Sequence, residues 1–158
     1  MARLTTLFAL ASIAFFTSGC GLPFEPAVPP GFVDMGEDRY IDNEWRATTA
    51  DGVVLGVRAF ENEAPKGDLG FWSRAVENRL RSMGGYALLE TKKVKARDGS
   101  DGTEMRFGHD EEKDPHNYRI AIFVTDDWVY IVEAGGSKAE MERMAPQVDW
   151  AIQNFLPD

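Results

Sequence analysis

Residues 118–134 read YRIAIFVT-DD-WVYIVEA, from Tyr118 through Asp126-Asp127 to Ala134. Tyr118, Ile120, Ile122 and Val124 fall on one face of an extended chain, with Arg119, Ala121, Phe123 and Thr125 on the other. That two-residue period marks a strand. Trp128–Ala134 is again rich in β-branched and aromatic residues, which suit a pleated surface. A turn as short as Asp126-Asp127 forces the two strands to pair antiparallel. Gly135-Gly136 is expected to close the second strand.

Upstream, Asn43–Thr49 and Val53–Phe60 read as strands joined at Ala50-Asp51-Gly52, where Asp-Gly signals a hairpin. Asp68 is the expected N-cap of a helix over Leu69–Met83. Its apolar stripe is Leu69, Trp72, Val76, Leu80 and Met83, and Gly84-Gly85 ends it. Tyr86–Ala96 and Thr103–Phe107 form a further predicted hairpin across the polar loop Arg97–Gly102. Downstream, Ser137 and Glu140 have the spacing of a capping box. The helix that follows carries Met141, Met144, Val148, Ile152 and Phe155 on one stripe, with Pro146 expected to kink or split it. The order ββ-α-ββββ-α, with room for a short strand at 32–35, predicts an α+β domain. Its antiparallel sheet of about six strands is flanked by two amphipathic helices.

The N-terminus carries a different signal. Arg3 supplies positive charge, Leu4–Phe16 is an apolar run, and Thr17-Ser18-Gly19 are small residues before the single cysteine, Cys20. This is the layout of a secretory signal, too short to span a bilayer of about 30 Å. Thr17-Ser18-Gly19-Cys20 resembles the bacterial lipobox, with Thr17 where Leu is commoner. The resemblance implies cleavage between Gly19 and Cys20 and diacylglyceryl transfer to the Cys20 sulfur. Acylation (palmitate or a similar chain) of the new amino terminus then usually follows. Two or three chains hold a protein at a membrane where one does not. Gly21, in place of an aspartate, points to the outer membrane. The expected division is a signal peptide at 1–19, a lipidated Cys20 with a Pro-rich tether at 20–31, and one globular domain at 32–158. Four prolines in 21–31 underlie the tether.

The chain of 158 residues has a net charge of −9. That balance disfavours nucleic acid and electrostatic adhesion to anionic lipid. The strand pair within Trp45–Phe60, the Phe71-Trp72 helix, the meander through Tyr118–Ala134 and the closing Trp150–Phe155 segment resemble the PsbP/Mog1-like fold. The resemblance implies an α/β/α sandwich and, by analogy, a non-catalytic binding or scaffolding role.

No catalytic constellation stands out. There is no G-x-S-x-G, and Cys20 is taken by lipid. Neither Gly84-Gly85 nor Gly135-Gly136 is followed by the Lys-Ser/Thr of a phosphate loop. The segment 109–116 holds both histidines, His109 and His116, among four carboxylates, a mix able to bind zinc but in no known motif. It reads first as a solvated loop. Phe71-Trp72, Trp128 with Tyr130, and Trp150 are either core or the lining of a ligand groove, with Phe71 the most exposed. The expectation is a periplasm-facing lipoprotein with no enzymatic activity and no cofactor, whose domain binds an envelope protein. The alternative is a small-ligand- or metal-binding lipoprotein.

Overall fold

A computed structural model describes residues 22–36, 44–83, 85–109 and 115–158. In chain order these form β1 (Phe24–Glu25), β2 (Val33–Gly36), β3 (Trp45–Thr48), β4 (Val54–Glu61), α1 (Leu69–Met83), β5 (Ala87–Lys95) and β6 (Asp101–His109). They continue with β7 (His116–Val124), β8 (Trp128–Ser137), α2 (Lys138–Arg143), α3 (Ala145–Asn154) and β9 (Leu156–Pro157). The signal peptide, Gly19, Cys20, Asn43, Gly84 and the acidic residues of 110–114 lie outside the described residues.

Seven strands make the main sheet in the order β2-β3-β4-β8-β7-β6-β5, every pair antiparallel. The seventh strand, beyond the six expected, is the short β2 at one edge. Alternation along β7 sorts two cores. Ile120 and Ile122 join Met105, Phe107, Val129 and Ile131 under α1, against Leu69, Trp72, Val76 and Leu80. Ala121 and Phe123 face the other way, onto Met141, Met144, Val148, Ala151, Ile152 and Phe155. The fold is therefore the α+β sandwich expected, with Leu69, Trp72, Val76 and Leu80 of the predicted α1 stripe facing the predicted sheet; the Met83 side chain lies outside the described residues.

Local signals account for the element ends. Asp68 accepts a hydrogen bond from the Phe71 N–H at 2.6 Å, capping α1. Ser137 caps α2 by accepting from the Glu140 N–H, while the Glu140 carboxylate turns to Arg143 instead of closing the box. Pro146 splits the last helix into α2 and α3, sitting in the first turn of α3 where its missing N–H costs nothing.

Three expectations need correction. The first is Gly135-Gly136, which does not end its strand: β8 continues through both glycines to Ser137. A Cβ on Gly135 would lie 3.0 Å from the Tyr118 ring, and one on Gly136 3.3 Å from the Val53 Cα. These glycines mark close approach within the sheet rather than termination. Second, β6 and β7 run longer than read, and the loop 97–102 shrinks to a turn before Asp101. Third, the Pro-rich segment is not a free tether from Leu22 onward. Phe24 is 4% exposed and packs against Tyr130 and Phe155, and β1 pairs with β9. Prolines gave the extended backbone, but an isolated Phe24 among them carried no period to betray its burial.

Candidate functional site

The sharpest surface feature grows from the loop before α1. Asn62 is buried and its side chain donates to the Gly67 and Thr125 carbonyls while accepting from the Gly67 N–H at 3.0 Å. The same Asn62 oxygen accepts from the Trp72 indole N–H at 3.2 Å. Gly67 has no room for a side chain, since a Cβ would come within 2.6 Å of both Phe71 and Trp72. Trp72 is thus held in one orientation. Phe60 and Phe71 each meet it edge-on at 5.2 Å between ring centroids, the geometry aromatic quadrupoles favour. Phe71 is 51% exposed and Phe60 37%. The result is a rigid aromatic lip open to solvent.

Beyond the lip runs a groove of about 300 Å³ between α1 and the sheet. Trp72, Ala75, Val76, Arg79 and Leu80 form its helical wall, Ile120, Ile131 and Tyr118 its floor, and Arg58 and Phe60 its far wall. The polar groups at the floor are tied to one another, while Arg58 Nε on the far wall is buried without a hydrogen-bond partner. Glu133 takes Arg58 at 2.6 Å and the Tyr118 hydroxyl in a close hydrogen bond. Burial, and then the Glu133 charge, push the Tyr118 hydroxyl far above its usual range. It therefore stays protonated and donates. None of these groove residues sets a nucleophile beside a base.

The opposite face holds an ionic cluster instead. Glu104, 1% exposed, meets Arg119 at 2.7 Å, Lys92 at 3.0 Å and Arg106 at 3.2 Å. Arg119, 5% exposed, also bonds Asp149 of α3 and the Ala145 carbonyl. Burial would raise the Asp149 pKa, but the Arg119 hydrogen bond and charge, aided by Lys92, outweigh it and hold the carboxyl below its ordinary range. A cleft of about 400 Å³ opens beside the cluster, between Leu89, Asn117 and Met141. With its cations already matched to carboxylates, the cluster works as a clamp between α3 and the sheet.

The residues singled out in sequence divide as follows. Phe71 and Trp72 come together in the lip. Tyr130 is core, Trp128 packs against the α2–α3 side, and Trp150 is exposed on α3. His109 and His116 are direct cross-strand partners on β6 and β7, with Tyr86 5.2 Å from the His109 ring. Among the described residues no group of three or more potential metal ligands forms. Sequence reasoning missed Phe60, Arg58 and Glu133 in the groove, and Glu104, Arg119 and Asp149 in the clamp. Arg119 carried the one usable signal, a charge at the Ala121/Phe123 parity of an otherwise apolar strand.

No family model matches the sequence, and no curated protein matches it. Solved structures do. The cell-envelope-biogenesis protein LpqN of Mycobacterium tuberculosis superposes with a TM-score of 0.68 at 10% identity, over 89% of this chain and 88% of that one. The cyanobacterial PsbP protein CyanoP of Synechocystis sp. PCC 6803 gives a TM-score of 0.59 at 11% identity, over 86% and 87%. The fold is PsbP-like. A protein of unknown function from Pseudomonas aeruginosa, described as a regulator candidate, shares it with a TM-score of 0.51 at 14% identity, over 80% and 81%. At such identities the PsbP-like likeness speaks for the fold alone. Among the described residues no helix is long and apolar enough to cross a membrane.

Proposed function

We propose that this chain is a bacterial envelope lipoprotein, anchored by lipid on Cys20 after removal of residues 1–19, whose PsbP-like domain is a non-catalytic protein-interaction module facing the periplasm. The observation that carries the module is the exposed lip of Phe60, Phe71 and Trp72 beside an apolar groove with arginines at its rim. Aromatic and arginine residues in a pocket are the composition of interaction hot spots. Confinement to a membrane would raise the effective concentration of a partner held there too. That LpqN is described as involved in cell envelope biogenesis agrees with an envelope setting, and Gly21 favours the outer membrane.

Site-specific photocrosslinking in intact cells tests the module. A photoreactive residue at Phe71 is expected to capture a protein that the same residue at Trp150, exposed on the other side, does not. Equal adducts from both positions, or none from Phe71, would sink it. For the anchor, Cys20→Ser is expected to abolish lipid labelling; unchanged labelling would refute it.

The pairing of His109 with His116 favours a second reading, metal binding. Cross-strand partners share a face with Cβ atoms about 5 Å apart, and imidazoles suit zinc. Titration calorimetry with zinc, repeated on His116→Ala, decides it: heat unchanged by the substitution, or no heat, removes this reading.

A further inference from the structure

We infer that the occupant of the α1 groove is an acidic, aliphatic segment of a partner protein, an inference that rests on the interaction-module reading. The chain as a whole is acidic, with a net charge of −9. Helix α1 runs against that trend, with Arg74, Arg79 and Arg81 facing a single acid, Glu77. Glu77 is matched to Arg81 at 3.0 Å, which leaves Arg74 and Arg79 uncompensated within the helix. Arg79 on the helical wall and Arg58 on the strand wall then flank the groove from opposite sides. A ligand crossing between them meets the unmatched charge of Arg79 at the helical rim, the unpartnered Nε of the Glu133-matched Arg58 at the other, and Ile120 and Ile131 beneath.

The floor sets the other half of the requirement. Glu133 already takes the Tyr118 hydroxyl and a terminal nitrogen of Arg58, so a polar group pushed onto the Ile120 and Ile131 floor would find no free partner there. The unpartnered donor, Arg58 Nε, sits on the far wall and suits an anionic neighbour. Buried polar groups without partners are costly. The occupant must therefore be apolar where it is deepest and anionic where it leaves. From Trp72 to Arg79 the helical wall is about 10 Å long. That length takes two aliphatic anchors three or four residues apart on a helix, with acidic neighbours reaching the rims. An anionic bilayer offers similar chemistry, but a net-acidic body is repelled from such a surface, and a concave groove suits a discrete segment.

Selection of random 12-residue peptides displayed on phage, against the purified full chain, tests this. Enriched peptides are expected to be net acidic, with aliphatic pairs at i,i+3 or i,i+4 spacing. Reversing their Glu and Asp to Lys is expected to weaken binding by about tenfold or more, as is Arg79→Glu in the protein. Because Arg79 is exposed, that variant is expected to keep its circular dichroism spectrum and melting temperature. As a second variant, Ala75→Trp fills the groove and should abolish binding. Enrichment of neutral or basic peptides, no enrichment, or affinity indifferent to Arg79→Glu overturns the inference. So does binding only to phosphatidylglycerol vesicles, which would assign the patch to lipid. Phe71 crosslinks to a partner through a basic or neutral segment would overturn this inference while sparing the module; absence of Phe71 crosslinks would remove both.

Discussion

Replacing Glu104 with glutamine keeps the shape of the side chain and removes one charge from beneath three cations. In the native protein its carboxylate meets Arg119 at 2.7 Å, Lys92 at 3.0 Å and Arg106 at 3.2 Å. Lys92 and Arg106 retain about a third of their side-chain exposure and can recruit water. Arg119, at 5%, cannot. Removing one partner of a buried pair costs about 3–5 kcal/mol. Because Asp149 still bonds Arg119, the lower end, about 3 kcal/mol, is the expectation for Glu104→Gln. For a chain this long, that lowers the melting temperature by about 6–12 °C. Urea unfolding followed by circular dichroism measures the difference directly. The control is Asp101→Asn, which breaks a fully solvated pair with Lys95 and should leave the unfolding midpoint essentially unchanged. The double variant Glu104→Leu/Arg119→Met should be more stable than Glu104→Leu alone, since it leaves no stranded charge at the centre. A Glu104→Gln protein within about 0.5 kcal/mol of wild type would refute the clamp.

Acid should act through the same cluster. Asp149 has its pKa lowered from 3.8, so its contribution is present above that value and is lost as pH falls through the lower folded-state value. The stability gap between wild type and Asp149→Asn, measured by urea titration, should therefore be full at pH 6 and shrink below about pH 4; a constant gap would contradict it. Phe24→Ala should destabilise by about 3–5 kcal/mol if residues 22–31 belong to the folded unit, whereas a loss below about 1 kcal/mol would return that stretch to the tether. Gly102→Ala should cost about 1–3 kcal/mol by overpacking, because its Cβ would sit 2.5 Å from the Phe123 ring and 2.9 Å from the Ile122 carbonyl. Unchanged unfolding of that variant would mean the ring yields freely.

What the sequence disclosed follows from which signals are local. The alternation of 118–124, the Asp68 and Ser137 caps, the stripes of the helices and the split at Pro146 each act over a few residues, and each has its counterpart in the structure. The groove is not local. It joins Phe60 of β4, Trp72 of α1 and Ile131 of β8, which meet only because β4 pairs with β8 across a long stretch of chain. The ionic clamp has the same character, uniting β5, β6, β7 and α3. Gly135 and Gly136 misled because glycine serves both to end strands and to admit a neighbour. Only the register of Tyr118 and Val53 beside them tells which.

The two faces of the sheet are built to different ends, and the contrast argues for which one works. On the α2–α3 face, Phe24, Tyr130 and Phe155 interlock, β1 is tied to β9, and the Glu104–Arg119–Asp149 cluster bolts α3 down. Each cation of that cluster has a carboxylate beside it. On the α1 face the helix lies over β5, β6 and β7 and leaves a furrow towards β4, with large aromatics at its mouth. Leaving Phe71 half in water carries no stability gain, while the Asn62–Gly67–Trp72 arrangement spends three hydrogen bonds holding its neighbour still. The anchor fixes Trp72, the ring against which the exposed Phe71 and Phe60 pack, so that ring has little side-chain freedom left to lose on binding. Asn62→Ala should therefore weaken partner capture at Phe71 even though Asn62 lies beneath the surface. Capture that survives the loss of this anchor would mean the lip is exposed but not built for binding.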